Sequence, residues 1–138
     1  MIDKQNIIDS RDIVEELARL QDEYDNLKLY LDDAVESGDF DAEQDALEEW
    51  NDDNEEYFKE LKDLNEEGEN YSSEWSDGAT LINKDYFEEY CEDLVKDIGD
   101  LPKDIPHYIV IDWEATADNI RNDYSEISFG NETYLVRD

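Results

Sequence analysis

In 138 residues the chain has one cysteine, one histidine, two prolines and 11 lysines and arginines, and each scarcity excludes something. Cys91 has no second cysteine to pair with, so there is no internal disulfide and a reducing, cytoplasmic setting is expected. His107 is the sole imidazole, and neither a zinc-spaced ligand cluster nor a glycine-rich phosphate loop occurs. A Cys91–His107 pair is the one nucleophile–base combination left. Cys91, however, falls on the apolar face of its helix and reads as a packed thiol, while His107 follows a proline at a loop or strand end. No apolar run reaches the ~18 residues of a membrane span, and no basic-then-apolar leader opens the sequence. The expectation is a non-catalytic protein without cofactor or bound metal.

Acid is what the chain has in excess. Its 43 aspartates and glutamates give a formal charge of −32. A disordered acidic chain would be poor in aromatics and leucine, but here 38% of residues are hydrophobic and 12% aromatic, enough to build a core. Such a charge repels nucleic acid and anionic membranes alike, and attracts a positively charged protein surface. Proteins of salt-loving organisms are also acidic throughout. Against that explanation, lysine outnumbers arginine seven to four and isoleucine and large aromatics are abundant.

The apolar residues are ordered most strictly over residues 10–64. Ile13, Leu17, Leu20, Tyr24, Leu27, Leu31 and Ala34 recur at alternating steps of four and three, as do Leu47, Trp50, Asn54, Tyr57, Leu61 and Leu64. That rhythm keeps one narrow stripe on one side of a helix, the seam of a coiled coil. It predicts helices over residues 11–35 and 42–64, the first capped by Asp9 or Ser10. Gly38 stops the first helix and an aspartate starts the second, so short a link making them antiparallel, with Leu31 near Leu47, Tyr24 near Asn54 and Leu17 near Leu61. Asn54 is a polar seam residue of the kind that fixes register. Val14, Tyr30, Val35 and Phe58 flank the seam and predict a side that packs on the C-terminal part; Leu29 fits neither stripe.

Residues 66–77 (EEGENYSSEWSD) read as a linker, giving an acidic helical hairpin over 1–68 and a small α+β domain over 69–138. Ile7 and Ile8 are expected at the hairpin base. Residues 79–82 suggest a strand, Asn83 caps a helix over 84–98 ended by Gly99, and Pro102 and Pro106 bracket a loop. Residues 107–111 read as apolar and extended, and Asp112 caps a short helix with Trp113, Ala117 and Ile120. Phe129-Gly130-Asn131-Glu132 is a two-residue hairpin turn that pairs Ile127 with Tyr134 and Ser128 with Thr133. The fold class is therefore α+β, mainly helical.

The seam leaves Asp22, Asp25, Asp32, Asp33 and Glu36 outside on the first helix. On the second it leaves Glu48, Glu49, Asp52, Asp53, Glu55, Glu56, Glu60 and Asp63. Several are like charges four apart, each pair costing roughly 0.2–0.5 kcal/mol. Alternation with lysine would avoid that cost, so the acids serve something other than stability. Acids this dense imitate metal motifs by accident. Asp39, Asp41, Glu43 and Asp45 start like a calcium loop, but Gln44 replaces the required glycine and Trp50 the closing glutamate.

Charge density is more informative. Residues 1–70 hold 26 acids and six bases. A helix of about 24 residues is about 36 Å long, and that length of B-DNA carries about 21 phosphates. Two helices side by side also roughly match a duplex in width.

The second half carries a resemblance. Ile111-Asp112-Trp113-Glu114-Ala115-Thr116-Ala117, then Asn122-Asp123-Tyr124-Ser125 and the closing hairpin, resemble the terminal module of ArdA-type antirestriction proteins. The likeness runs from about residue 86 to 137, a little over a third of the chain. It implies an elongated acidic protein of a phage or mobile element that imitates DNA and occupies the DNA-binding groove of type I restriction-modification enzymes. The chain is shorter than a three-module member, and its first half is a helical hairpin.

Together these observations suggest an acidic DNA-mimic inhibitor that binds a basic host defence enzyme, whether a restriction-modification enzyme or a CRISPR-Cas nuclease. Trp50, Trp75 and Tyr71 are candidate apolar anchors. The alternatives are an acidic coiled-coil adaptor for a basic partner and a metal-dependent hydrolase built on helical carboxylates; on any of these readings an exposed seam edge leaves a homodimer open. Self-repulsion of this size has a measurable consequence. The melting temperature should rise as salt approaches and passes 0.1 M, where the Debye length is about 10 Å. A flat or falling response in calorimetry would mean the acids are compensated.

Overall fold

The 3-4 spacing of apolar side chains folds as two long helices, α1 (Ser10–Ser37) and α2 (Asp41–Tyr71), in the computed structural model, which describes residues 2, 5–98 and 105–137. Asp9 caps α1, its Oδ1 accepting the Arg11 N–H at 2.9 Å. Gly38 ends it with a φ of 89°, a left-handed turn in which its N–H donates to the Ala34 and Val35 carbonyls. The helices return antiparallel. Ile13, Leu20, Leu61 and Leu64 are fully buried, and Leu17, Tyr24, Leu27, Leu31, Leu47, Trp50 and Tyr57 are half-buried along the same seam. The Tyr24 ring lies 5.5 Å from that of Trp50, one turn short of the Asn54 expected opposite it. Asn54 does not reach across. Its amide donates to the Trp50 carbonyl of its own helix at 3.0 Å, and a cross-helix polar contact comes from Trp50 Nε1 donating to Glu23 Oε2 at 3.0 Å.

The remaining elements form a sheet and a cover. Strands β1 (Ile7–Asp9), β2 (Thr80–Asn83), β3 (Tyr124–Phe129) and β4 (Glu132–Arg137) make an antiparallel sheet in the order β1-β2-β4-β3. The β3–β4 register pairs Ile127 with Tyr134 and Ser128 with Thr133, as the turn sequence predicts. Within that turn Gly130 has a φ of 61° and Asn131 no positive φ, the pattern of a II′ turn. A short helix α3 (Trp75–Gly78) precedes β2. Asn83 caps a single 3₁₀ turn, Lys84–Tyr86, that leads into α4 (Phe87–Asp97), and Asp112 caps α5 (Trp113–Ile120). One face of the sheet packs on the hairpin through Leu81, Ile127, Phe129, Tyr134 and Val136. A second cluster of Ile82, Phe87, Cys91, Ala117 and Leu135 includes side chains of β2, β4, α4 and α5.

Several expectations are corrected. Within the N-terminal lead Ile7–Asp9 is a strand, with Ile7 paired to Ile82 and Ile8 to Leu81; Ile8 is buried in the core with Ile13 and Leu64, as expected at the hairpin base, but Ile7 is 44% exposed. The division at 68/69 is not a break in packing, because one core takes Ile13, Leu20 and Leu61 from the first half and Leu81, Phe129 and Val136 from the second. Of the residues flanking the seam only Phe58 is buried; Val14, Tyr30 and Val35 are exposed, as is Leu29. Residues 107–111 form no strand. Ile109 N–H closes a turn on the Pro106 carbonyl at 3.0 Å, and Tyr108, Ile109 and Val110 are exposed. Gly99 and Pro102 lie outside the described residues.

The expected linker is also corrected, for an instructive reason. α2 runs through Gly68 to Tyr71, and the Trp75 ring sits directly over Gly68. Trp75 is only 1% exposed, with its Nε1 donating to Asn65 Oδ1 at 2.7 Å. Beside it, the buried Ser10 hydroxyl donates to the Trp75 carbonyl at 2.7 Å and accepts the Ala79 N–H at 2.6 Å. The base of the hairpin is thus locked to the start of β2. A Cβ on Gly68 would fall 2.4 Å from the indole. Gly68→Ala should therefore destabilise by about 1–3 kcal/mol through overpacking, although alanine otherwise favours a helix by about 1 kcal/mol. Chemical denaturation checks this; an unchanged or raised stability would show that the indole is free to shift.

Candidate functional site

Burial tapers along the hairpin. Between residues 21 and 57 only Ala34 is buried, so the distal part rests on the narrow seam. Its outer surface carries the expected acids. Asp22, Asp25, Asp32, Asp33 and Glu36 on α1 are exposed, as are Glu48, Glu49, Asp52, Asp53, Glu55, Glu56 and Asp63 on α2; Glu60 is half-buried.

The cations are distributed unevenly, and this decides where the field is strongest. Lys28 is the last base of α1 and Lys59 the first of α2, so residues 29–58 contain 13 acids and no lysine, arginine or histidine. Outside that stretch some acids are paired. Arg11 binds Asp9, Arg19 binds Glu16 and, at 2.7 Å, Glu23, and Lys84 and Arg121 share Glu126. Among the described residues none of the 13 distal acids is in an ion pair. The helix ends reinforce the sign: α1 has no base in its last turn, where a cation is favoured.

Helical spacing then sets the acids in rows. Asp45, Glu49, Asp52, Glu56, Glu60, Asp63 and Glu67 follow one another at steps of three or four, one carboxylate per turn along about 33 Å of α2. At the inner end of this row, Glu56, Glu60, Asp63 and Glu67, together with Lys59, line an open hollow of about 760 Å³ against the Gly130–Asn131 turn. There Glu67 Oε2 accepts the Ser128 N–H at 3.1 Å and ties the row to the sheet. Asp39, Asp41, Glu43 and Asp45 belong to the same cation-free stretch but were not among the acids expected as contacts. The interval from Lys28 to Lys59 was the sequence signal for them.

Other chemistry has less support. Burial pushes the Cys91 thiol up to about 11, so it is protonated and unreactive at neutral pH. His107 is exposed beside Tyr108, well apart in the chain from that buried thiol. Among the described residues no group of three or more His, Cys, Asp or Glu is placed to hold a metal, and no helix is long and apolar enough to cross a membrane. The expected anchors divide. Trp75 is buried in the core and is no surface anchor, Trp50 is half-buried within the hairpin, and Tyr71 is 50% exposed at the end of α2.

Comparison with protein-family models, with characterised proteins and with solved structures returns no match.

Proposed function

We propose that the chain is a non-catalytic inhibitor that imitates DNA and occupies the duplex-binding groove of a cationic protein. The observation that carries this reading is the cation-free arm. Thirteen carboxylates stand over residues 29–58, none neutralised by a base among the described residues. The α2 part of that stretch, 18 residues, is about 27 Å long, a length over which B-DNA carries about 16 phosphates. A groove lined by lysine and arginine meets nearly the same charge per unit length from either ligand.

The mechanism is competition. Long-range attraction steers the arm into the groove, and carboxylates then take the hydrogen bonds that phosphate oxygens would accept. Tyr71 supplies an apolar contact at the inner end. The groove has no room for a duplex and two helices together. The likeness of residues 86–137 to the ArdA-type terminal module points to a restriction-modification enzyme as the target, acted on for a phage or mobile element. A CRISPR-Cas nuclease presents the same kind of groove.

The test is to titrate the protein into a type I restriction-modification enzyme already holding its labelled recognition duplex. Loss of the duplex, with an apparent affinity that weakens as salt rises, is expected. A complex that keeps the duplex while also holding this protein would contradict groove occupation and favour an adaptor that binds the same enzyme elsewhere.

A further inference from the structure

The seam does not close at the tip of the hairpin. Lower down it is filled by Leu, Tyr and Trp, but here Ala34 of α1 meets Ala42 and Ala46 of α2, and an open hollow of about 490 Å³ remains between the helices. Leu27, Ala34 and Ala46 are buried or half-buried and make an aliphatic floor; Asp33, Asp39 and Ala42 are exposed around it, and the half-buried Glu43 adds a third carboxylate to the lining. Tyr30 borders the same hollow with 61% of its surface in solvent.

An apolar trough beneath carboxylates is unsuited to a phosphate, a metal ion or an apolar peptide. The first two find no neutralising or adequate ligand set, and the third would desolvate Asp33 and Asp39 without a partner. It suits one side chain. Arginine lays an aliphatic stem on apolar surface, offers a planar fork to carboxylates and stacks on an aromatic ring. The end of α1 adds its negative pole at the same place, with no base in its last turn. We propose that this hollow at the hairpin tip is a receptacle for an arginine side chain of a basic protein segment, anchoring the arm in its partner. The identity of that partner rests on the DNA-imitation reading; the arginine preference does not.

The experiment compares hexa-arginine and hexa-lysine peptides, equal in charge, by NMR titration of the full chain at fixed salt. Hexa-arginine should bind at least about three-fold more tightly, with the largest shifts at Ala34, Ala42, Ala46 and Tyr30. Ala46→Phe fills the trough without changing charge and should remove the preference while leaving hexa-lysine binding as it was. Tyr30→Ala, at an exposed site, should reduce the preference with the fold intact, and decides the matter if Ala46→Phe does not fold. Equal binding of the two peptides, or a preference that survives Tyr30→Ala and a folded Ala46→Phe, would overturn the receptacle. Failed duplex displacement with an intact arginine preference would remove DNA imitation alone. Lost preference with intact displacement would remove the receptacle alone.

Discussion

Like-charge repulsion along the hairpin is the constraint to which the rest of the structure answers. Seven pairs of acids stand four residues apart on α2. At a few tenths of a kcal/mol each they cost about 2–3 kcal/mol in sum, comparable to the gain from burying one leucine side chain fully. The seam buries Ile13, Leu20, Leu61 and Leu64 completely, so the hairpin holds. Burial is concentrated at the inner end, where the sheet covers the seam, and the distal arm depends on that end for its orientation. Ser10, Gly68 and Trp75 meet there, and their close contacts turn two helices into a projection with a fixed base.

The placement of cations follows the same division. Where the chain needs stability, an arginine or lysine joins acids to one another: Arg19 between Glu16 and Glu23, Lys84 and Arg121 at Glu126. Exposed pairs of this kind contribute little individually, and they offset only part of the acid around them. Beyond Lys28 and before Lys59 even this partial pairing stops among the described residues. A surface that is costly to the fold and offers no internal compensation is suited to an external cationic partner, and its rows of carboxylates at one helical turn suit an extended groove better than a point contact.

Much of this was legible in the sequence because local signals agreed. The 3-4 rhythm located the helices, Gly38 the reversal, and Gly130-Asn131 the hairpin register to the residue. The failures are of long range. Gly68 is locally a helix breaker and becomes a helical residue only because Trp75 covers it. Ile7-Ile8 is too short to announce a strand, and pairs only because β2 arrives from more than seventy residues away. Tyr30 and Val35 look like packing residues but stand on the distal arm, beyond the sheet, while Val14, although at the inner end, is 42% exposed. The acids on the outer face were readable from the period, whereas the strongest part of the field lay in the spacing of the bases.

The central claim is that the distal carboxylates, rather than net charge in general, compete with duplex DNA. It is tested most directly by neutralising equal numbers of acids in two places. One variant changes Glu48, Glu49, Asp52 and Glu56 to their amides, and the other changes Glu88, Glu89, Asp93 and Glu114, all exposed in the C-terminal half. Affinity for the duplex-binding target is then measured across a salt series. The account predicts weaker binding and a shallower salt dependence for the first variant, with the second near the unmodified chain. Equal losses from both would contradict it and reduce the arm to one acidic surface among others.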